Sequence, residues 1–193
     1  MWRSILGQIQ QSVRNLMIAG LLVFLFPSSS WAEGIHLESL GIRGGVSGSS
    51  PIGREEAEFF QGYDVMANWL MPWDWYSQSG WGVATRVMTT MGGLTTNGES
   101  AFIATVVPGF IFGKKDGWLS LEVGGGGALL SRYQFPEQNM GGTFQFVWDT
   151  ALRAKVYKGV GLGYWFHHMS DASLYGSDAH GVDLHMIEIG YRF

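Results

Sequence analysis

His168 and Ser170 stand two residues apart in the segment Tyr164-Trp165-Phe166-His167-His168-Met169-Ser170-Asp171, and Asp183 follows in Gly181-Val182-Asp183. In an extended chain, side-chain direction repeats every two residues, so His168 and Ser170 share a face with Val160, Leu162, Tyr164 and Phe166. Asp183 likewise shares a face with Ile187, Ile189 and Tyr191. If the two segments are antiparallel neighbours joined by a loop over Asp171–Gly181, Ser170 and Asp183 come close together. A hydroxyl, an imidazole and a carboxylate are the three groups of nucleophilic acyl transfer: nucleophile, general base, and an acid that fixes the imidazole tautomer. The same spacing also suits an interfacial histidine beside a strand-ending serine. Other chemistry has less support. The chain has no cysteine, which excludes thiolate catalysis, thiolate metal sites and disulfides. His167 and His168 are adjacent and point to opposite faces of a strand, so with His180 and His185 they make no metal set, and none is expected. The run Gly124–Gly127 is followed by neither a lysine nor a helix start, and is not a phosphate loop.

The faces that carry these groups are otherwise apolar, which bears on what must position them. Eight segments of alternating apolar and polar residues follow one another: Ile35–Gly45, Ala57–Leu70, Trp81–Gly92, Ala101–Phe112, Trp118–Leu130, Thr143–Lys155, Gly159–Ser170 and Val182–Phe193. In the fifth, Leu119, Leu121 and Val123 oppose Ser120, Glu122 and Gly124. In the sixth, Phe144, Phe146, Trp148 and Leu152 oppose Gln145, Asp149 and Arg153. In the eighth, Ile187, Ile189, Tyr191 and Phe193 oppose Glu188, Gly190 and Arg192. Segments of this length and pattern are the signature of a transmembrane β-barrel, in which lipid-facing and lumenal residues alternate and closure pairs every backbone group. The expected fold is all-β: an eight-stranded antiparallel barrel of the outer-membrane type. Glu122, Asp149, Arg153, Glu188 and Arg192 carry both signs of charge on one face, which suits a lumen filled by paired side chains. A soluble β-sandwich or lipocalin-like barrel would need a polar outer face, and this one is Leu, Val, Ile, Phe and Trp.

Connections alternate as well. Short links are expected at Met71–Gly80, Gly113–Gly117 and Val156–Lys158, and longer polar ones at Val46–Glu56, Gly93–Ser100, Ser131–Gly142 and Asp171–Gly181. Outer-membrane barrels have short periplasmic turns and longer external loops, so both termini are placed in the periplasm and Ser170 and Asp183 at the external end. Prolines 27, 51, 72 and 136 fall outside the segments; Pro108 falls inside the fourth and predicts a bulge or a missing ladder bond. Trp69, Trp73, Trp75, Tyr76 and Trp81 gather round the first short turn, where an interfacial aromatic girdle would sit.

Composition agrees. Charged residues are 15% of the 193 and aromatics another 15%, against about 25% charged in ordinary soluble domains. The first 32 residues read as a secretory signal peptide: Arg3 and Arg14 without an acidic residue, an apolar run from Leu16 to Phe26 too short to span a bilayer, then Ser30-Trp31-Ala32 as a small-x-small site. Cleavage is expected before Glu33, after Sec-type export, leaving residues 33–193 as the barrel. Removing Arg3 and Arg14 takes the 12 basic residues to 10 against 16 acidic, a balance that does not favour a nucleic-acid partner. The terminal Tyr191-Arg192-Phe193 resembles the signal read by the barrel-assembly machinery.

A barrel of this size can be a structural or adhesin-like outer-membrane protein without catalysis, so function rests on the site. His168-Met169-Ser170-Asp171-Ala172 followed by Gly181-Val182-Asp183, with Glu137-Gln138-Asn139-Met140-Gly141 and Glu122-Val123-Gly124 upstream, resembles the lipid A 3-O-deacylase family (PagL type). The resemblance implies an eight-stranded outer-membrane enzyme, without cofactor, that hydrolyses the ester-linked acyl chain at the 3 position of lipid A in lipopolysaccharide. It implies a lipid-facing triad with His168 as base and Ser170 as nucleophile, amid outer-membrane lipids. The family's glutamate position holds Asp183, one methylene shorter. Asp171 stands where the family commonly has asparagine, and Ser173 where it commonly has glycine. These positions belong to the family's oxyanion site, for which the backbone N–H groups of Asp171 and Ser173 are the expected donors.

Overall fold

In a computed structural model, residues 34–48, 58–176 and 180–193 are described; the expected signal peptide and its cleavage site lie outside them. The described chain forms eight strands: β1 (His36–Ser47), β2 (Gln61–Tyr76), β3 (Trp81–Thr96), β4 (Glu99–Lys114), β5 (Leu119–Leu130), β6 (Phe144–Tyr157), β7 (Val160–Ser170) and β8 (Val182–Arg192). Each pairs antiparallel with its neighbours in sequence, and β1 pairs with β8 to close the barrel. Closure removes the sheet edges, so the strands can cross lipid with their ladders paired.

Alternation sorts the side chains as the sequence implies. Ile42, Val65, Val106, Leu121, Leu129, Leu152, Leu162, Ile187 and Ile189 are exposed on the outer face, an apolar surface of the kind that lipid tails cover. The turn end carries exposed Trp73, Trp75, Trp81 and Trp118. The lumen is filled by ion pairs. Arg43 donates to Asp64 at 3.0 and 2.8 Å. Arg86 lies 2.9 Å from Glu122, and Arg153 bridges Glu122 and Glu188 at 2.9 and 2.8 Å. Trp165, which donates to Glu188 at 2.7 Å, lies under the Arg43 and Arg86 guanidiniums, 4.8 and 5.3 Å from its ring centre. Two charged groups removed from water are tolerable only when paired and hydrogen-bonded, which is why the lumenal carboxylates each face a cation or an N–H donor.

Four details differ from the sequence reading. The expected long link at Gly93–Ser100 is a tight hairpin: β3 and β4 pair to Thr96↔Glu99, leaving Asn97 and Gly98 at φ 44° and 82°. Asn-Gly is the sequence that favours such a two-residue turn, because both positions need positive φ. The first expected short link, Met71–Gly80, is mostly strand, since β2 runs on to Tyr76. Pro72 therefore lies within a strand, at an irregularity between Leu70 and Asp74 where Thr85 donates to the Trp73 carbonyl at 2.8 Å. It falls beyond the last β1 partner, His36↔Leu70, where no ladder donor is needed on that side. Fourthly, Asp183 shares the outward face yet is buried, for the reason given below. Pro108 does as expected: the β4–β5 ladder keeps its register but has no pairing between Val106↔Gly127 and Gly109↔Gly124.

At the loop end, residues 131–143 fold into a small hairpin joined by a Gln134↔Asn139 bridge. It seats Phe135 and Met140 in the buried apolar cluster with Phe60, Leu94, Met169 and Leu184, and Phe135 meets Phe60 edge-on at 5.1 Å. Buried Gln145 donates to the Met140 and Gly142 carbonyls at 2.9 and 2.8 Å, fixing the hairpin's base.

Candidate active site

Strand β7 places His168 and Ser170 on the outward face, between β6 and β8. The pairings are Trp148↔His168 and Phe146↔Ser170 on one side, and His168↔Asp183 on the other. Asp183 is thus directly across from the imidazole, rather than beside Ser170. Opposite residues in an antiparallel pair have their Cβ atoms about 4.5–5.5 Å apart, close enough for an aspartate to reach a histidine ring.

The three groups form a continuous chain. His168 Nδ1 contacts Asp183 Oδ1, and His168 Nε2 lies 3.1 Å from Ser170 Oγ. An ionised carboxylate only accepts, so the proton on Nδ1 is donated to Asp183 and Nε2 is left to accept from the Ser170 hydroxyl. The His168 side chain covers Asp183: their side chains are 17% and 3% exposed. That cover helps bury an outward-facing carboxylate, and it withdraws the hydrogen bond from water, where it would be weakest.

His167 points into the lumen, where its Nδ1 lies 2.7 Å from Asp149 Oδ1. The adjacent histidines therefore hold two separate carboxylates on opposite faces of one strand. His185 is outward, 2.6 Å from the Tyr164 hydroxyl through Nδ1. Phe146 and Trp148 are exposed beside Ser170 and His168 and make an aromatic wall on the β6 side.

After Ser170 the chain turns sharply, with Ala172 and Ser173 at φ 50° and 66°. The Asp171 carboxylate holds this turn by accepting from the backbone N–H groups of Ser173 and Tyr175, each at 3.0 Å. The Ser173 N–H, an expected oxyanion donor, thus donates to the Asp171 side chain in this structure. An asparagine oxygen would compete for that donor less strongly than a carboxylate does.

Two further features escaped the sequence reading. Gly181 packs against the site, and a Cβ there would come within 2.6 Å of the Met169 carbonyl and 3.2 Å of Ser170 Cβ. Gln138, buried in the 131–143 hairpin, donates from Nε2 to the Gly181 carbonyl at 2.8 Å. The segment of Gln138 carries part of the family resemblance, but its residue type does not give this contact, which spans 43 residues.

With this geometry in place, the comparisons decide the family. The model of the lipid A 3-O-deacylase (PagL) family matches residues 61–192. The chain belongs to that family. That makes it an ester hydrolase of the lipid A deacylase class, built on an outer-membrane β-barrel. The crystal structure of the outer-membrane enzyme PagL superposes with a TM-score of 0.65 at 17% identity, covering 80% of this chain and 99% of that one. The two share the fold. The Yersinia pestis outer membrane protein Ail, in a phospholipid nanodisc, gives a TM-score of 0.44 at 14% identity, over 82% of this chain and 100% of that one. No curated protein matches the sequence.

Proposed function

We propose that this protein hydrolyses the ester-linked acyl chain at the 3 position of lipid A in lipopolysaccharide, with Ser170 as nucleophile, His168 as general base and Asp183 as the orienting acid. The observation that carries the reading is the unbroken Ser170–His168–Asp183 chain on the outward face of β7 and β8. Ser170 Oγ attacks the ester carbonyl while His168 Nε2 takes its proton. The bond to the sugar oxygen then breaks, and His168 returns the proton to that oxygen. Water, activated by the same imidazole, cleaves the acyl-serine and releases the fatty acid. Asp183 stays ionised throughout and stabilises the imidazolium. Of the two expected oxyanion donors, the Asp171 N–H is kept in this proposal, because the Ser173 N–H is held by the Asp171 carboxylate.

The site's place suits a membrane-lipid substrate. The reacting groups open onto the outside of the barrel, so the lipid need not enter the ion-pair-filled lumen. With the loop end external, the ester of an outer-leaflet lipid A reaches Ser170 while its acyl chain lies along the Phe146 and Trp148 wall. In this reading residues 1–32 direct Sec-type export, and the barrel-assembly machinery inserts the mature chain into the outer membrane. The test is release of fatty acid from purified lipopolysaccharide, with the product identified by mass spectrometry. Ser170→Ala and His168→Ala should each abolish release while the protein keeps the faster gel mobility of a folded, unheated barrel. Release by folded Ser170→Ala at the unsubstituted rate would overturn the assignment.

A further inference from the structure

We propose that Gln138 is a positioning residue for the triad, acting through Gly181 to set where Asp183 meets His168; this rests on the catalytic reading above. The start of β8 lies where its two ladders begin. Pairing with β7 begins at Met169↔Val182, and pairing with β1 begins only at Ser47↔Leu184. Asp183 therefore sits one residue before the β1 ladder. On that side its carbonyl accepts from the Gly48 N–H at 3.3 Å, which is long for an N–H···O bond.

The 131–143 hairpin supplies a restraint from another direction. Gln138 Nε2 donates to the Gly181 carbonyl at 2.8 Å, and the His180 N–H donates to the Asn139 carbonyl at 3.0 Å. Consecutive hairpin residues thus hold the two residues just before Val182-Asp183. The hairpin can act as an anchor because it is itself fixed: the Phe135 N–H donates to the Gln138 carbonyl and the Met140 N–H to the Tyr133 carbonyl, both at 2.8 Å. Its Met140 side chain is fully buried, and Gln138 is only 2% exposed. Gly181 lies near the site: a Cβ added there would come 3.2 Å from Ser170 Cβ and 3.5 Å from His168 Cε1. Gly181 is therefore held by the hairpin close to the nucleophile. Its displacement changes the separation of Asp183 from His168 without touching the barrel wall. Catalysis depends steeply on such placement, about a hundredfold for about 1 Å.

Gln138→Met keeps the volume of the side chain and removes the donor. In the full-length protein folded in the outer membrane and assayed on lipopolysaccharide, kcat should fall about 10- to 100-fold with KM unchanged. The deciding measurement is the same substitution in an Asp183→Ala background, where no acid remains to be placed. There Gln138→Met should lower kcat further by less than about twofold, because effects acting through one contact are not additive. Unheated gel mobility reports folding, and if the Met variant does not fold, Gln138→Glu, whose ionised side chain cannot donate, replaces it with the same expectation. An undiminished kcat overturns the inference, as does an equal loss with and without Asp183. Full activity of Asp183→Ala alone would instead overturn the acid assignment, so the two failures are distinguishable.

Discussion

Asp183 offers the sharpest test of the chemistry, because its contribution can be worked from the geometry. In the proposed mechanism the His168 ring takes the Ser170 proton and becomes an imidazolium as Ser170 attacks. The new charge forms in contact with the Asp183 carboxylate, and the two side chains are 17% and 3% exposed. For opposite charges about 4 Å apart at an effective dielectric constant of about 20, the attraction is about 4 kcal/mol. One factor of ten in rate is about 1.36 kcal/mol, so Asp183→Ala should lower kcat about a thousandfold. Asp183→Asn should lose at least as much, about ten-thousandfold in a comparable triad, because an amide can donate to the ring and favour the wrong tautomer. Asp183→Glu should keep most of the activity, because a carboxylate remains to accept from the His168 ring. The assay is mass-spectrometric release of fatty acid from purified lipopolysaccharide, with heat-dependent gel mobility as the folding control. A folded Asp183→Asn protein that works at the unsubstituted rate would refute the reasoning, since no imidazolium would then be leaning on this carboxylate.

Glu122→Gln should destabilise the barrel by about 3–5 kcal/mol, because it leaves the fully buried Arg86 without its ion-pair partner; urea unfolding in lipid vesicles measures it, and a change below about 1 kcal/mol would contradict the pairing. The mature chain should begin at Glu33, which the intact mass of the outer-membrane form checks; a mass that includes Met1 through Ala32 would show that no cleavage occurs there.

The barrel was legible in the chain because its cause is local and repetitive. A strand at a lipid–lumen boundary must alternate, so Leu119, Leu121 and Val123 against Ser120, Glu122 and Gly124 reveal both the strand and its two environments. Strand ends were less legible. Gly93, Leu94 and Thr95 are strand residues in a polar-looking stretch, and only the turn preference of Asn97-Gly98 marks where the chain reverses. Pro72 misled because proline is excluded from a ladder only where a neighbour needs its N–H, and β1 stops before reaching it.

Of the candidate triad, the shared face of His168 and Ser170 follows from their spacing alone, since two residues apart on a strand means the same side. That Asp183 faces His168 rather than Ser170 required the β7–β8 register, which the intervening loop does not encode in any short pattern. The contact of Asp183 with the His168 ring followed from the same fact, because the two stand directly opposite. The capture of the Ser173 N–H by Asp171 and the reach of Gln138 to Gly181 depend on where loops fold back, and loops carry no periodicity from which to read it. Residue type and alternation determined the fold and the chemistry on offer; which groups touch was decided by strand register and loop packing, which exist only once the barrel is closed.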